Sequence, residues 1–172
     1  MKNKIFTGEF IGSAFLVMII VGSGIMAQNL TRDFAVMLLA NTLATGAGLF
    51  VLINSIANIS GAHFNPVVTM VMYFTKRIKK DLIFTYLSAQ ILGCLLGVML
   101  ANFMFELPLI ELSKKVRPGF NIFIAELIAT FGLLFIIFGT LKKGSTSIAA
   151  SVATYITAGL SLIHISEPTG RS

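Results

Sequence analysis

Ser60-Gly-Ala-His-Phe-Asn-Pro-Val-Val-Thr69 lies inside a run from Phe34 to Thr75 that holds no Lys, Arg, Asp or Glu. Such a run has room for one full membrane span and a second element that enters only part way. Asn65 before Pro66 predicts a helix start, because asparagine is a preferred N-cap and proline suits the first helical position. The helix so started, over about residues 66–75, is only ~15 Å long at 1.5 Å per residue. That is half of a ~30 Å hydrocarbon core. A half-helix that begins in mid-membrane is a way of lining a pore.

The surrounding sequence fits a membrane setting. The chain is 56% hydrophobic and 12% charged, with a mean hydropathy of +0.90, which excludes an ordinary soluble domain. Apolar stretches recur at about 5–27, 34–57, 82–105, 120–141 and 147–165. Each is near the ~20 residues a helix needs to span a bilayer. They are continuously apolar and do not alternate with period two, so transmembrane strands are not expected. The fold class is an all-α, multi-pass membrane protein.

The net charge of +6 could suggest nucleic acid, but the placement of the charges argues for topology instead. With a cytoplasmic N-terminus and a re-entrant 65–75 segment, one side collects Lys2, Lys4, Lys76, Arg77, Lys79, Lys80, Lys142 and Lys143. The other keeps Arg32, Lys114, Lys115, Arg117 and Arg171 with most of the acids, the expected positive-inside bias. No nucleic-acid partner is expected; the lipid bilayer is. The basic run Lys76–Lys80 suits anionic lipid, although orienting the chain accounts for it. Met1-Lys-Asn-Lys before an apolar run mimics a signal peptide, but Glu9 and the later spans favour a retained first helix. Lone Cys94 allows no intramolecular disulfide, and Gly93 with Gly97 makes a small-residue face for close helix packing.

Glu9-Phe-Ile-Gly-Ser-Ala-Phe-Leu-Val-Met-Ile-Ile-Val-Gly22 and Glu126-Leu-Ile-Ala-Thr-Phe-Gly-Leu-Leu-Phe-Ile-Ile-Phe-Gly139 match in register at Glu, Ile, Leu, Ile, Ile and Gly. Three spans separate the two starts, an odd number, so the second copy is expected upside down. Inverted repeats with broken helices meeting at the midplane are a known plan for solute pathways.

Ser60-Gly-Ala-His-Phe-Asn-Pro-Val67 closely resembles the first signature loop of the major intrinsic proteins, the aquaporin and glycerol-facilitator family. Glu9 early in span one, Gln90 with Gly93 and Gly97 in span three, and Glu126 opening the second half agree with it. Gly8-Glu-Phe-Ile-Gly12, Gly22-Ser-Gly-Ile-Met-Ala27 and Leu39-Ala-Asn-Thr-Leu-Ala-Thr-Gly46 most resemble bacterial members, some of them tied to arsenic resistance. The resemblance implies an aquaporin-like inverted-repeat helical bundle, here incomplete, with five spans and one re-entrant half-helix. It also implies a homotetramer in a cell membrane, a bacterial inner membrane by this likeness. The usual Asn-Pro-Ala reads Asn-Pro-Val here, with Val67. The family's sixth span and second signature loop are not expected, and residues 160–172 resemble adapter read-through or a misjoined gene end. Residues 1–159 are accordingly expected to form a partial family domain, and 160–172 a non-family tail.

Candidate site residues follow from both lines. The Asn65 amide oxygen can cap Val67 or Val68, leaving its NH2 group to donate to a solute. The half-helix aims about half a positive charge at the membrane centre, which opposes cations but not neutral molecules. Gly61, Ala62 and His63 are expected to run extended, with carbonyls along one wall. His63 is either a proton-titratable gate or a neutral ring locking the loop; the cost of an imidazolium there favours the lock. No metal site is expected, since no other His or Cys lies near it in sequence. Intramembrane Glu9 and Glu126 are either proton sites or, as the resemblance implies, supports for signature-loop N–H groups. Thr45 falls where the family places a selectivity-filter residue of span two, and its small size suits a solute wider than water; ordinary packing in a small-residue stretch is the rival.

The functional expectation is a passive channel for water or small uncharged solutes, such as glycerol or neutral metalloid acids, with no cofactor. A proton-coupled transporter using Glu9 and Glu126, and a fragment without transport function, are the rivals. No nucleophile–base pair, metal cluster or phosphate loop points to an enzyme.

Overall fold

The computed structural model describes residues 1–110, 119–141 and 145–164, with residues 145 and 160–164 through their backbone alone. Lys114, Lys115, Arg117, Lys142, Lys143, Arg171 and tail residues 165–172 lie outside the described residues. The described chain is helical: α1 (Lys2–Leu30), α2 (Phe34–Ser60), α3 (Pro66–Phe74), a single 3-10 turn (Lys80–Leu82), α4 (Ile83–Met104), α5 (Phe120–Thr140) and α6 (Ser145–His164). Among the described residues, α1, α2, α4 with its leading turn, and α5 are long and apolar enough to cross a membrane.

Local chemistry sets the helix ends. Asp33 caps α2 through Oδ1, which accepts from Ala35 N at 2.8 Å and Val36 N at 3.2 Å. At the other end Gly61 turns left-handed at φ 92° and closes the helix with a bond to Ala57 O. Asn65 caps α3 and Pro66 occupies its first turn. Nine residues make α3 about 14 Å long.

Small residues set how closely the long helices approach. A Cβ on Gly93 or Gly97 would overlap the carbonyl oxygen of Phe10 or Ala14, so α4 lies directly on the α1 backbone. Gly46 of α2 does the same for Thr157 of α6, and Gly132 of α5 for the Tyr155 hydroxyl. Tyr155 donates to Ala129 O at 3.0 Å and ties α6 to α5. The interior gathers Leu49 and Ile53 of α2, Val68 and Met72 of α3, Ile137 of α5 and Val152 of α6. The Arg77 guanidinium lies 5.7 Å from the Phe138 ring centre, joining the α3 end to α5.

The outer surface is the apolar one. Phe15, Leu43, Phe84, Leu95, Phe131 and Phe135 all project outward. In water so large an exposed apolar surface would be exceptional; in a bilayer it is the face that meets lipid, with backbone polar groups satisfied inside each helix. Lys2 pairs with Asp81 at 3.3 Å, which puts the starts of α1 and α4 at the same end of the bundle.

Candidate functional site

The site grows from one buried carboxylate. Glu9, on α1, has no exposed surface. Its Oε1 accepts from Ser60 Oγ at 2.6 Å and His63 N at 3.0 Å; its Oε2 accepts from Phe64 N at 2.9 Å and Gln90 Nε2 at 2.8 Å. Four donors from α2, the loop and α4 thus replace the water that a carboxylate loses on burial. Because a carboxylate can only accept, the Gln90 amide must present its NH2 edge. Its Oε1 has no partner among the described residues.

The loop reaches Glu9 through an unusual backbone. Gly61, Ala62 and Phe64 have φ of 92°, 50° and 48°, so the segment coils left-handed and does not run extended as its sequence suggested. Left-handed residues turn successive N–H groups inward as a small anion-binding concavity. Ala62 N donates to Ser60 Oγ at 3.1 Å, and the next two N–H groups take Glu9. Each non-glycine residue held this way costs on the order of 1 kcal/mol, which the charge-assisted bonds offset. Phe64 anchors the turn by lying against Gly12, where any Cβ would overlap its ring.

A second set of contacts fixes the imidazole. Thr69 Oγ1 donates to Asn65 O at 3.1 Å and accepts from Gln90 Nε2 at 3.0 Å. Its remaining lone pair faces His63 Nδ1 at 3.1 Å, so this network assigns the Nδ1 proton to His63 and leaves Nε2 as an acceptor. The ring stacks on Tyr86 with centres 4.5 Å apart and planes 17° apart. Tyr86 OH donates to Ser60 O.

These residues form the head of a cavity of about 160 Å³, room for several waters. Gly61, Ala62, His63 and Asn65 line it together with aliphatic side chains such as Leu49, Ile53, Ile137 and Val152. The carbonyls of Gly61, Ala62 and His63 accept from no described residue. Asn65 Oδ1 is occupied by Val67 N at 2.8 Å and Val68 N at 3.3 Å, while its NH2 has no partner among the described residues. Loop residues with polar groups left unpartnered among the described residues thus share the lining with mainly aliphatic side chains.

Not every expected residue joins this site. Pro66 and Val67 start α3 but are exposed and do not line the cavity. Thr45 is buried and donates to Asn41 Oδ1 at 3.2 Å, away from the cavity lining; its neighbour Gly46 is covered by Thr157 of α6. Glu126 is exposed on α5, and no described residue offers it a hydrogen bond or ion pair. Conversely, Tyr86, Thr69, Phe64 and Gly12 belong to the site without having been singled out in the sequence. Gln90 carried a signal, an amide side chain in the middle of a mainly apolar span. Among the described residues no three His, Cys, Asp or Glu side chains gather into a metal-binding group.

Apolar helices around a re-entrant half-helix define a multi-pass membrane protein with a capped helix N-terminus in its interior. A family model described as Major intrinsic protein matches residues 2–172. The chain belongs to the major intrinsic protein family. It is 42% identical over 150 residues to aquaglyceroporin AqpS of Rhizobium meliloti (strain 1021), covering 87% of this chain and 64% of that protein. It is 33% identical over 172 residues to a probable aquaporin TIP-type of Medicago truncatula, covering 95% and 68%. The X-ray structure of the aquaglyceroporin from Plasmodium falciparum superimposes with a TM-score of 0.78 at 23% identity. That match covers 93% of this chain and 72% of that one, and it establishes the likeness of fold. The chain spans just under two thirds of its Rhizobium relative.

Proposed function

We propose that this chain is the larger part of a passive transmembrane channel for water and small uncharged solutes of the glycerol or neutral metalloid-acid kind. The observation that carries the reading is the mixed lining of the cavity. Gly61, Ala62, His63 and Asn65 line a space of about 160 Å³ beside aliphatic side chains, and the carbonyls of the first three and the Asn65 NH2 have no partner among the described residues. A polar solute can exchange water for these groups without reorganising the protein, and the positive end of α3 disfavours cations. Membership of the family, and relatives named aquaglyceroporin and aquaporin, support the same reading.

The proton-coupled alternative finds little support. Glu9 is saturated by four donors, and Glu126 is exposed with no partner among the described residues. In this reading Glu9 is a loop support and Asn65 the central donor. Positive-inside charge supports a cytoplasmic N-terminus, and the Rhizobium relative supports a bacterial inner membrane. We take a homotetramer as the assembly; the open apolar groove between α1 and α2, with Ile11, Phe15, Val51 and Ile59 along it, suits a neighbouring protomer.

The test is stopped-flow light scattering on proteoliposomes under water and glycerol gradients, with and without a pH gradient. A passive channel gives rates above empty vesicles that ignore the pH gradient. Uptake that follows the pH gradient would overturn the proposal in favour of proton coupling.

A further inference from the structure

The loop that supplies the acceptors is held on one side by Glu9. Tyr86 of α4, which has only 3% of its surface exposed, holds another side of it. The hydroxyl donates to Ser60 O at the last turn of α2, and the ring lies flat on His63, three residues further on. The Tyr86 hydroxyl is also near the place where a Cβ on Gly61 would stand, 3.9 Å away, and His63 Nε2 is 3.2 Å from the same point. Tyr86 thus touches both ends of the Ser60–His63 segment and the space between them. Glu9 and the Ser60 hydroxyl orient the peptide planes through the N–H groups of Ala62, His63 and Phe64; Tyr86 supplies the tie that holds the segment against α4.

We infer that Tyr86 is a positioning residue: through its hydroxyl on Ser60 and its ring on His63 it holds the Gly61–His63 segment, and with it the carbonyls, at a fixed place against α4, and so sets which solutes the cavity accepts. The inference rests on the channel reading for its effect on solutes, but not for its effect on the loop. It divides into two physically separate parts. Tyr86→Phe removes the donor and keeps the stacked ring; Tyr86→Leu removes both. Thr69 still holds His63 Nδ1 in each variant, so the imidazole is released on one face only.

Two readouts test it on the full chain in proteoliposomes. Hydrogen exchange of the Gly61–Phe64 amides reports loop order directly. Loss of one hydrogen bond predicts about tenfold faster exchange there in Tyr86→Phe, more in Tyr86→Leu, and none in α5. The glycerol-to-water permeability ratio reports the carbonyl wall; it shifts at least severalfold in Tyr86→Leu and less in Tyr86→Phe, at unchanged helix content. Wild-type exchange and a wild-type ratio in both variants overturn the proposal. If the unmodified chain conducts nothing, the channel reading fails, and the exchange arm still decides whether Tyr86 positions the loop.

Discussion

Glu9 stands at the centre of the residue-scale account because one carboxylate organises α1, the loop and α4 at once. Glu9→Gln replaces an acceptor oxygen by an NH2 group facing loop N–H donors and removes the charge that strengthens all four bonds. We expect a loss of about 3 kcal/mol in stability, read as a lower melting temperature in detergent; an unchanged value would contradict the role assigned to Glu9. Gly12 is the second such residue. Gly12→Ala collides with the Phe64 ring and should cost about 2 kcal/mol by overpacking. Combined with Phe64→Leu, it should cost less than the sum of the two, a coupling measured by a double-mutant cycle. Additive losses would mean that the two residues do not share a site. Neither partnership was legible from local pattern. A lone intramembrane Glu announces that it needs donors, but not which ones, since those donors lie more than fifty residues away. Gly12 has no signal apart from its small size, and Tyr86 reads as one more aromatic in an apolar span.

At the scale of elements, α3 was the most legible part of the molecule. Its start depends on chemistry contained in two adjacent residues, the Asn65 cap and the Pro66 first turn. Asn65→Ala should cost about 1 kcal/mol of stability through the lost cap; a melting curve identical to wild type would show that α3 is held by packing alone. The loop before it was not legible, because left-handed backbone at Ala62 and Phe64 is unfavourable taken alone and is sustained by partners distant in sequence, Glu9 first among them. Thr45 illustrates the converse limit. Counting residues places it on α2, while the packed bundle shows it buried with its hydroxyl donating to Asn41 Oδ1 one turn earlier on the same helix.

For the whole molecule, apolar periodicity and family resemblance pointed to a multi-pass bundle, because each span announces itself by length and composition. Charge alone orients it. With the Lys2–Asp81 pair holding the starts of α1 and α4 at one end, Lys76→Cys in a Cys94→Ser background should react with an impermeant maleimide from the cytoplasmic side only, and Arg32→Cys from the opposite side only. Labelling of both from one side would contradict the topology. The central claim is that a carbonyl wall with the Asn65 amide at its head passes neutral solutes. Asn65→Asp keeps a good N-cap but exchanges the one fixed donor for an acceptor. The most direct measurement is therefore osmotic water permeability of proteoliposomes carrying matched amounts of wild-type and Asn65→Asp protein. The account predicts permeability well above empty vesicles for the wild type and a fall to the lipid baseline for Asn65→Asp. Equal permeability of the two proteins above that baseline, or of the wild type and empty vesicles, would contradict it.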